Sequence, residues 1–506
     1  MTRPVAKTRR VKLRGFERML TMVDGVSMKI VHAMLVTGNV RALEHFVPLA
    51  LVRTFNRHPR MRALQVKGTK PLVEIQAPLV LDDVHDKQLL RLRRFPAADS
   101  AFATEWPHYA EHECNVGFDR YSQLPFFLTL WVQDDTDQCR LLLFSDHYMS
   151  DGQSGMTVLH CILEQVSLLS THAFSPLESA PVPPEYPLRP SVYDMWLSKS
   201  FFVKGSLKLV MASVGKAVYR SEMKKFTPLL PPRSDQHDFV VPPVTNPTSA
   251  SFAEGSATCM HRSLDTCKAQ GVTCGGAIVA AALLALYHAA MQQPQPRCRP
   301  GEPFKVAVDV DYNMRHRVPR PAQENQVGAF VAFTDLTRFA AKGIVEMETT
   351  RFWDLARSAK REIDVNLEHP AMMAALPVMM DQKLHARVKP SLAKAVNIRY
   401  SQTSDVNVSN VGCYPYTKEH LIASTASEQP PGLTVKSVHV YNPNPHLGPS
   451  VIMFLTSVES FCYAMAHKCS DDAANALFTA WVAICEHLGQ IGPDETLTEV
   501  LQHLKL

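Results

Sequence analysis

The 506-residue chain contains 11 cysteines and not one Cys-x-x-Cys pair. Their number is odd, and they are scattered from Cys114 to Cys485, with Cys161 and Cys485 inside apolar helical patterns. This usage points to reduced, buried thiols in an intracellular, cytoplasmic protein. No apolar run precedes Met19, so no secretory signal is visible. The longest uninterrupted apolar span, Ala277 to Met291, is too short to cross a bilayer and contains His288; a core helix is expected there. Net charge is also small. A formal +5 over 506 residues argues against nucleic acid as the main partner. Acid is missing from residues 1–15, which carry Arg3, Lys7, Arg9, Arg10, Lys12 and Arg14. A frayed basic arm is expected there, with a transit-like or membrane-surface arm as the alternative. No short internal repeat is visible.

What is present describes a soluble globular protein: 46% hydrophobic and 20% charged residues. The length exceeds one ordinary core, so two domains are expected. Met28 to Thr37 is strand-like, and Val40 to Asn56 has helical spacing behind Asn39 as N-cap. Short β runs follow at 62–66 and 72–75, an opening typical of a layered α/β domain. Trp106 to Cys114 places His108 and His112 four apart. With no third ligand, a solvated polar helix end is the reading there, and no metal is expected.

Phe126 to Gln133 and Cys139 to Ser145 read as a hairpin joined by Asp134-Asp135-Thr136-Asp137. The second strand delivers His147, followed by Asp151 and Gly152 and, from Met156 to Leu169, a helical pattern. An imidazole titrates near neutral pH, and a strand-to-helix turn exposes it, so His147 is the candidate general base.

Proline-rich stretches at 175–190 and 228–247 read as extended connectors. Between them, residues 197–226 carry seven basic side chains against Glu222, interleaved with Phe201, Phe202, Leu207, Leu209 and Val210. That basic amphipathic segment either covers a domain junction or makes peripheral contact with an anionic membrane or lipid substrate. The second half restarts with a strand over 251–261 and a long helix over 263–291, bent at Gly275-Gly276. Strands are predicted at 304–312, 328–336, 405–411, 451–457 and 461–467, and helices at 352–367, 371–388 and 471–488, the last with Ser470 as N-cap. Domain boundaries follow: a basic arm 1–15, a first domain 16–175, a connector 176–250 and a second domain 251–506.

Three constellations fall at strand ends: His147 with Asp151 and Gly152, Arg315 with Arg317, and Ser409 with Asn410. The run Ser145-Asp-His-Tyr-Met-Ser-Asp-Gly-Gln-Ser-Gly155 resembles the His-x-x-x-Asp-Gly motif of one acyltransferase superfamily. It includes peptide-synthetase condensation domains, alcohol acetyltransferases, wax-ester synthases, polyketide-associated acyltransferases, the plant BAHD enzymes and, more distantly, chloramphenicol acetyltransferase. Phe16-Glu-Arg-Met-Leu20, Val308-Asp-Val-Asp-Tyr-Asn-Met-Arg315, Gln326-Val-Gly-Ala-Phe330 and Val408-Ser-Asn-Val-Gly412 resemble further family segments in the family's order. Only the central motif is specific alone.

The resemblance implies an α/β fold: a pseudo-dimer of two chloramphenicol-acetyltransferase-like domains, each a mixed sheet flanked by helices, with a channel between them. It implies His147 as general base, taking a proton from the acceptor so that it attacks a thioester. Asp151 is then a structural strut paired with an arginine, Arg315 first and Arg317 as runner-up. Gly152 serves the tight turn, and Ser409 and Asn410 either bind the oxyanion or acceptor or merely finish a strand. Ser154 lies in Gly-Gln-Ser-Gly, which is not a nucleophile elbow. Residue 146 is Asp where many members have a second histidine, and no Asp-Phe-Gly-Trp-Gly segment is present, which argues against a plant BAHD enzyme. The expected activity is O-acyl transfer from acyl-CoA to a small or lipid alcohol by a monomer with no bound cofactor. N-acyl transfer, an acyl-carrier-protein donor, and a non-catalytic acyl-chain or protein-binding member are the alternatives.

Overall fold

A computed structural model describes residues 9–21, 26–68, 71–171, 182–196, 206, 226–240, 244–299, 301–317, 325–336, 344–368, 398–423, 432–444 and 446–506. But for Ser206 and Phe226, the basic amphipathic segment 197–226 lies outside them, as does the helix expected at 371–388. In chain order the first elements are β1 (Arg9–Lys12), α1 (Phe16–Leu20), β2 (Lys29–Gly38), α2 (Val40–Arg57), β3 (Ala63–Gln65), β4 (Leu72–Ile75) and α3 (Asp82–Asp86). Then come β5 (Leu90–Phe95), α4 (Ala101–Thr104), α5 (Trp106–Asn115), β6 (Phe126–Gln133), β7 (Gln138–Asp146), α6 (Gly152–Thr171) and α7 (Val192–Trp196). The second half holds β8 (Ser249–Glu254), α8 (Ala257–Ala269), α9 (Cys274–Met291), β9 (Phe304–Lys305), β10 (Val308–Asn313), β11 (Val331–Asp335), β12 (Ile344–Val345) and α10 (Phe352–Glu368). It ends with β13 (Gln402–Cys413), β14 (Glu419–Leu421), β15 (Gly432–Tyr441), β16 (Gly448–Ser457), β17 (Phe461–His467), α11 (Asp471–Glu486) and α12 (Leu497–His503).

The chain forms two compact units, neither continuous in sequence. Unit one is Met1–Ser200, Asn313–Val331 and Tyr414–Val438; unit two is Phe201–Tyr312, Ala332–Cys413 and His439–Leu506. The expected division had put 313–331 and 414–438 with the second domain. Composition gives a reason to expect a connector at 176–250 but carries no trace of which sheet a later segment joins.

Unit one is built on a six-stranded mixed sheet, ordered β14-β15-β2-β7-β6-β5. β7 pairs antiparallel with both β2 and β6, and β5 lies parallel to β6. Lys29 and His32 have opposite parity on β2, so they point to opposite faces. Lys29 pairs with Glu113 of α5, while the His32 ring lies under Gly155 of α6. Helices therefore cover both faces, which is why β6 and β7 are largely apolar on both faces, as at residues 141–144, rather than alternating. Asn39 caps α2 as expected, accepting from the Ala42 amide at 3.0 Å.

The basic arm is not frayed from Arg9 onward. β1 pairs antiparallel with β4 in a three-stranded sheet, and Arg9 and Arg10 form ion pairs with Glu185 (2.7 Å) and Glu74 (3.0 Å). The acids that complement these arginines lie far along the sequence.

Unit two has its own six-stranded mixed sheet, β11-β10-β13-β16-β17-β8. β10, β13 and β16 run parallel, and β17 and β8 continue antiparallel. α9 is the one helix among the described residues long and apolar enough to cross a membrane, and it is packed inside this unit against α10 and α11. The long helix expected over 263–291 is two helices, and the break falls at Gln270–Thr273, not at Gly275-Gly276. Gly271 takes φ 67°, which ends α8, and Thr273 caps α9 by accepting from the Gly276 amide. Gly276 instead serves packing: a Cβ there would stand 2.7 Å from the Ala356 carbonyl oxygen. Ser470 precedes α11, but its side chain makes no capping bond.

Candidate active site

The site grows from the end of β7. The His147 amide donates to the Met28 carbonyl at 2.8 Å, carrying the β2–β7 ladder one residue past the strand. The chain then turns, with the Met149 amide donating to the Asp146 carbonyl at 2.9 Å. α6 begins at Gly152, four residues before the apolar periodicity starts, because Asp151 is its N-cap. The Asp151 carboxylate accepts from the Ser154 amide at 2.7 Å, and its carbonyl accepts from Gly155 at 3.2 Å.

His147 is half-buried. Its Nδ1 lies 2.8 Å from the Ser150 carbonyl oxygen. A carbonyl can only accept, so Nδ1 carries a proton, and in the neutral form of the ring Nε2 is the nitrogen with the free lone pair. No described residue hydrogen-bonds Nε2. Phe16 of α1 meets the ring edge-on at 5.0 Å between centroids. α1 is itself anchored by the buried pair Glu17–Arg60 (2.7 Å). Burial pushes the Glu17 carboxyl up despite the opposing pull of Arg60. The opening Phe-Glu-Arg-Met-Leu segment thus supports the histidine, a role no local pattern announces.

Asp151 points away from the imidazole. Its Oδ1 and Oδ2 accept from Arg315 Nη2 and Nη1, each at 2.9 Å, in a bidentate pair. Oδ2 also accepts from the Phe330 amide at 2.8 Å. Burial alone would raise this carboxyl, but the Arg315 charge and four hydrogen bonds carry it below its ordinary value. Arg315, 1% exposed, also donates to Ser154 Oγ (2.7 Å) and the Gln326 carbonyl (3.3 Å) and lies over the Phe330 ring. Ser154 Oγ donates to the Gly328 carbonyl at 2.8 Å and accepts its amide at 3.1 Å. Ser154 is a structural node, consistent with its not being a nucleophile. Arg317 is exposed, so of the two arginines it is Arg315 that meets Asp151.

Gly152 opens α6, and the positive-φ glycines of the described residues lie elsewhere. Its carbonyl accepts from His32 Nε2 at 2.7 Å. His32 is fully buried and held neutral: burial pulls its pKa down to about 4, against the pull of Gly152 and Asp151. A lone histidine in an apolar strand needs a partner, and that signal could have found His32. Asp146 does not act on His147. Its carboxylate is taken by Arg120 (Nε–Oδ2 2.7 Å) in a buried pair.

His108 and His112 are both exposed on α5, and no group of three potential metal ligands occurs among the described residues. Ser409 and Asn410 lie in unit two on β13, opposite Phe454 and Leu455 of β16, beside an irregularity at Asn410–Gly412 where Gly412 takes φ 94°. Ser409 is buried and Asn410 exposed.

The fold is shared with several solved proteins. The trichothecene 15-O-acetyltransferase of Fusarium sporotrichioides superposes with a TM-score of 0.65 at 13% identity, over 96% of this chain and 97% of that one. The first condensation domain of the calcium-dependent antibiotic synthetase gives 0.63 at 10% identity, over 97% and 98%. Polyketide synthase associated protein 5 of Mycobacterium tuberculosis gives 0.53 at 12%, over 96% and 100%. No curated protein sequence matches. Residues 122–434, however, which include the His147 turn, Asp151 and Arg315, match the model of the alcohol acetyltransferase family. That match spans more than half of the chain, and the chain is therefore an acyltransferase belonging to the alcohol acetyltransferase family.

Proposed function

We propose that the protein transfers an acyl group from acyl-CoA to the hydroxyl of a hydrophobic alcohol, with His147 as general base. The observation that carries this reading is the Nδ1–H bond to the Ser150 carbonyl, which fixes the tautomer with a basic Nε2. Nε2 takes the acceptor's hydroxyl proton as the oxygen attacks the thioester carbonyl. The tetrahedral oxyanion collapses, the C–S bond breaks, and the leaving thiolate takes the proton back from Nε2. The ester and free CoA remain, and the histidine is regenerated. Such base assistance contributes roughly 10²–10⁴-fold, and orienting two bound substrates contributes at least comparably. Hydrogen bonds from Ser409 and Asn410 to the oxyanion or the acceptor belong to the same proposal, as does action as a monomer in the cytoplasm.

The test is thiol release from acyl-CoA with a panel of alcohols, comparing the parent with His147→Ala. The variant should lose about 10²–10⁴-fold in kcat while keeping its thermal midpoint, since the ring is half-exposed and makes one hydrogen bond. Equal rates would remove His147 from the mechanism. Turnover only with a carrier-bound acyl group, or only with amine acceptors, would replace the proposed substrates. Acyl-chain binding without any turnover would point to a non-catalytic member. For residues 197–226, peripheral membrane contact predicts sedimentation with anionic liposomes that weakens as salt is added. Protein left wholly in the supernatant at low salt would end that part of the proposal.

A further inference from the structure

Unit one holds a small, partly open cavity lined in part by His58, Arg60, Tyr186, Arg189 and Gln326. Its free space is that of about one water-sized particle. The lining is not apolar. Both ring nitrogens of His58, Nε of Arg60, Nε of Arg189 and Oε1 of Gln326 are buried without a hydrogen-bond partner. His58, Arg60 and Gln326 are 2%, 3% and 4% exposed. Buried polar atoms without a partner are costly, so five of them on residues that line one void point to an occupant.

The chemistry of the five atoms selects it. The two Nε–H groups are donors, and Gln326 Oε1 is an acceptor. Burial, helped by the Arg57 charge, lowers the His58 pKa to about 3, so its neutral ring supplies one lone pair and one N–H. An anion would meet the donors but repel Gln326 Oε1 and the imidazole lone pair. Of the two guanidinium groups that line the cavity, Arg60 is already paired with Glu17, so the Arg189 charge alone would favour an anion. A cation would face two guanidinium groups. Water accepts two hydrogen bonds and donates two.

We propose that this cavity is a built-in water site. One water accepts from Arg60 Nε and Arg189 Nε and donates to Gln326 Oε1 and one ring nitrogen of His58. It would tie together two segments that support the His147 turn. Gln326 gives its carbonyl to Arg315, the partner of Asp151. Arg60 holds Glu17 of α1, whose Phe16 meets the imidazole. The inference stands independently of the acyl donor and acceptor.

The test is a crystal structure of the full chain, determined with and without a bromide soak at a resolution that shows ordered water. One peak hydrogen-bonded to the four named groups, with no anomalous bromide signal, is the expected result. An empty cavity, a bromide peak, or a shifted His58 bonded directly to Gln326 would overturn it. His58→Phe removes one partner while keeping a planar ring. It should lose the peak and lower the thermal midpoint by about 2–4 °C.

Discussion

Asp151 and His147 stand four residues apart and should fail in different ways when removed. Asp151 caps α6 and receives both Nη atoms of Arg315 in a site shut off from water. Truncating one partner of such a pair leaves the other charge buried and alone, at a cost of about 3–5 kcal/mol. Asp151→Ala should therefore lose about that much in denaturant unfolding, and its activity should fall with the loss of folded protein. Asp151→Asn keeps the cap oxygen and the shape but leaves the Arg315 charge unanswered and sets an amide NH2 against N–H donors, so it should lose a comparable amount. His147→Ala shows the reverse pattern, with stability kept and turnover lost. A stable, inactive Asp151→Ala would mean that the carboxylate takes part in the chemistry, and the strut assignment would fall.

At the scale of the element, the position of α6 depends on Gly155. A Cβ there would lie 2.1 Å from two atoms of the His32 ring. The ring is buried on β2, so Gly155→Ala must push it aside, and with it the bond from Nε2 to the Gly152 carbonyl that fixes the first turn of the helix. Forced repacking of this kind costs about 1–3 kcal/mol. The thermal midpoint should fall, and the kcat for acyl transfer should fall with it, because the His147 turn leads into that helix. An unchanged midpoint would show that His32 has room to move. Some of this was legible from sequence. β7 carries the apolar run 141–144, His147 follows its end, and the strand that delivers Arg315 has strict β character. The start of α6 was also within reach, since an Asp three residues before an amide donor is a cap pattern, yet apolar periodicity first shows at Met156. What could not be read were partners from distant segments. Nothing around Asp146 names Arg120, nothing around Gly155 names His32, and nothing in the composition of 313–331 says that it belongs to unit one. The break before α9 was misplaced for a related reason: a Gly-Gly pair resembles a bend, while its actual use is close approach to α10.

For the molecule as a whole, buried ionisable groups set the response to pH. In unit one His32, His58 and His420 are held neutral, with burial lowering their pKa values to about 4, 3 and 4. Each folded value lies below the unfolded one of about 6.5. Their stabilising neutrality is complete above that pH and is lost as pH falls toward 4, while Asp405 of unit two, pushed by burial up to about 6, takes up a proton in the folded state over the same window and offsets part of that loss. In unit two the notable group is Lys468. It is fully buried at the end of β17, its Nζ has no hydrogen-bond partner, and burial lowers its pKa to about 7. Between about pH 10 and pH 7 the unfolded chain binds a proton that the folded chain refuses. Stability therefore falls as pH drops through that window and stays low below it, where the ammonium is buried without a counter-charge. Lys468→Met keeps the length of the side chain and removes the proton. The variant should be more stable than the parent at pH 7, by on the order of 3–5 kcal/mol. The difference should shrink as pH rises toward 9. Cysteines and tyrosines that burial holds protonated in the folded protein titrate over the same alkaline range in the unfolded chain, but they are common to both proteins and cancel in the comparison. Chemical unfolding of both at pH 7, 8 and 9 measures the difference directly. A gap that does not narrow with pH would show that Lys468 is not the group refusing the proton.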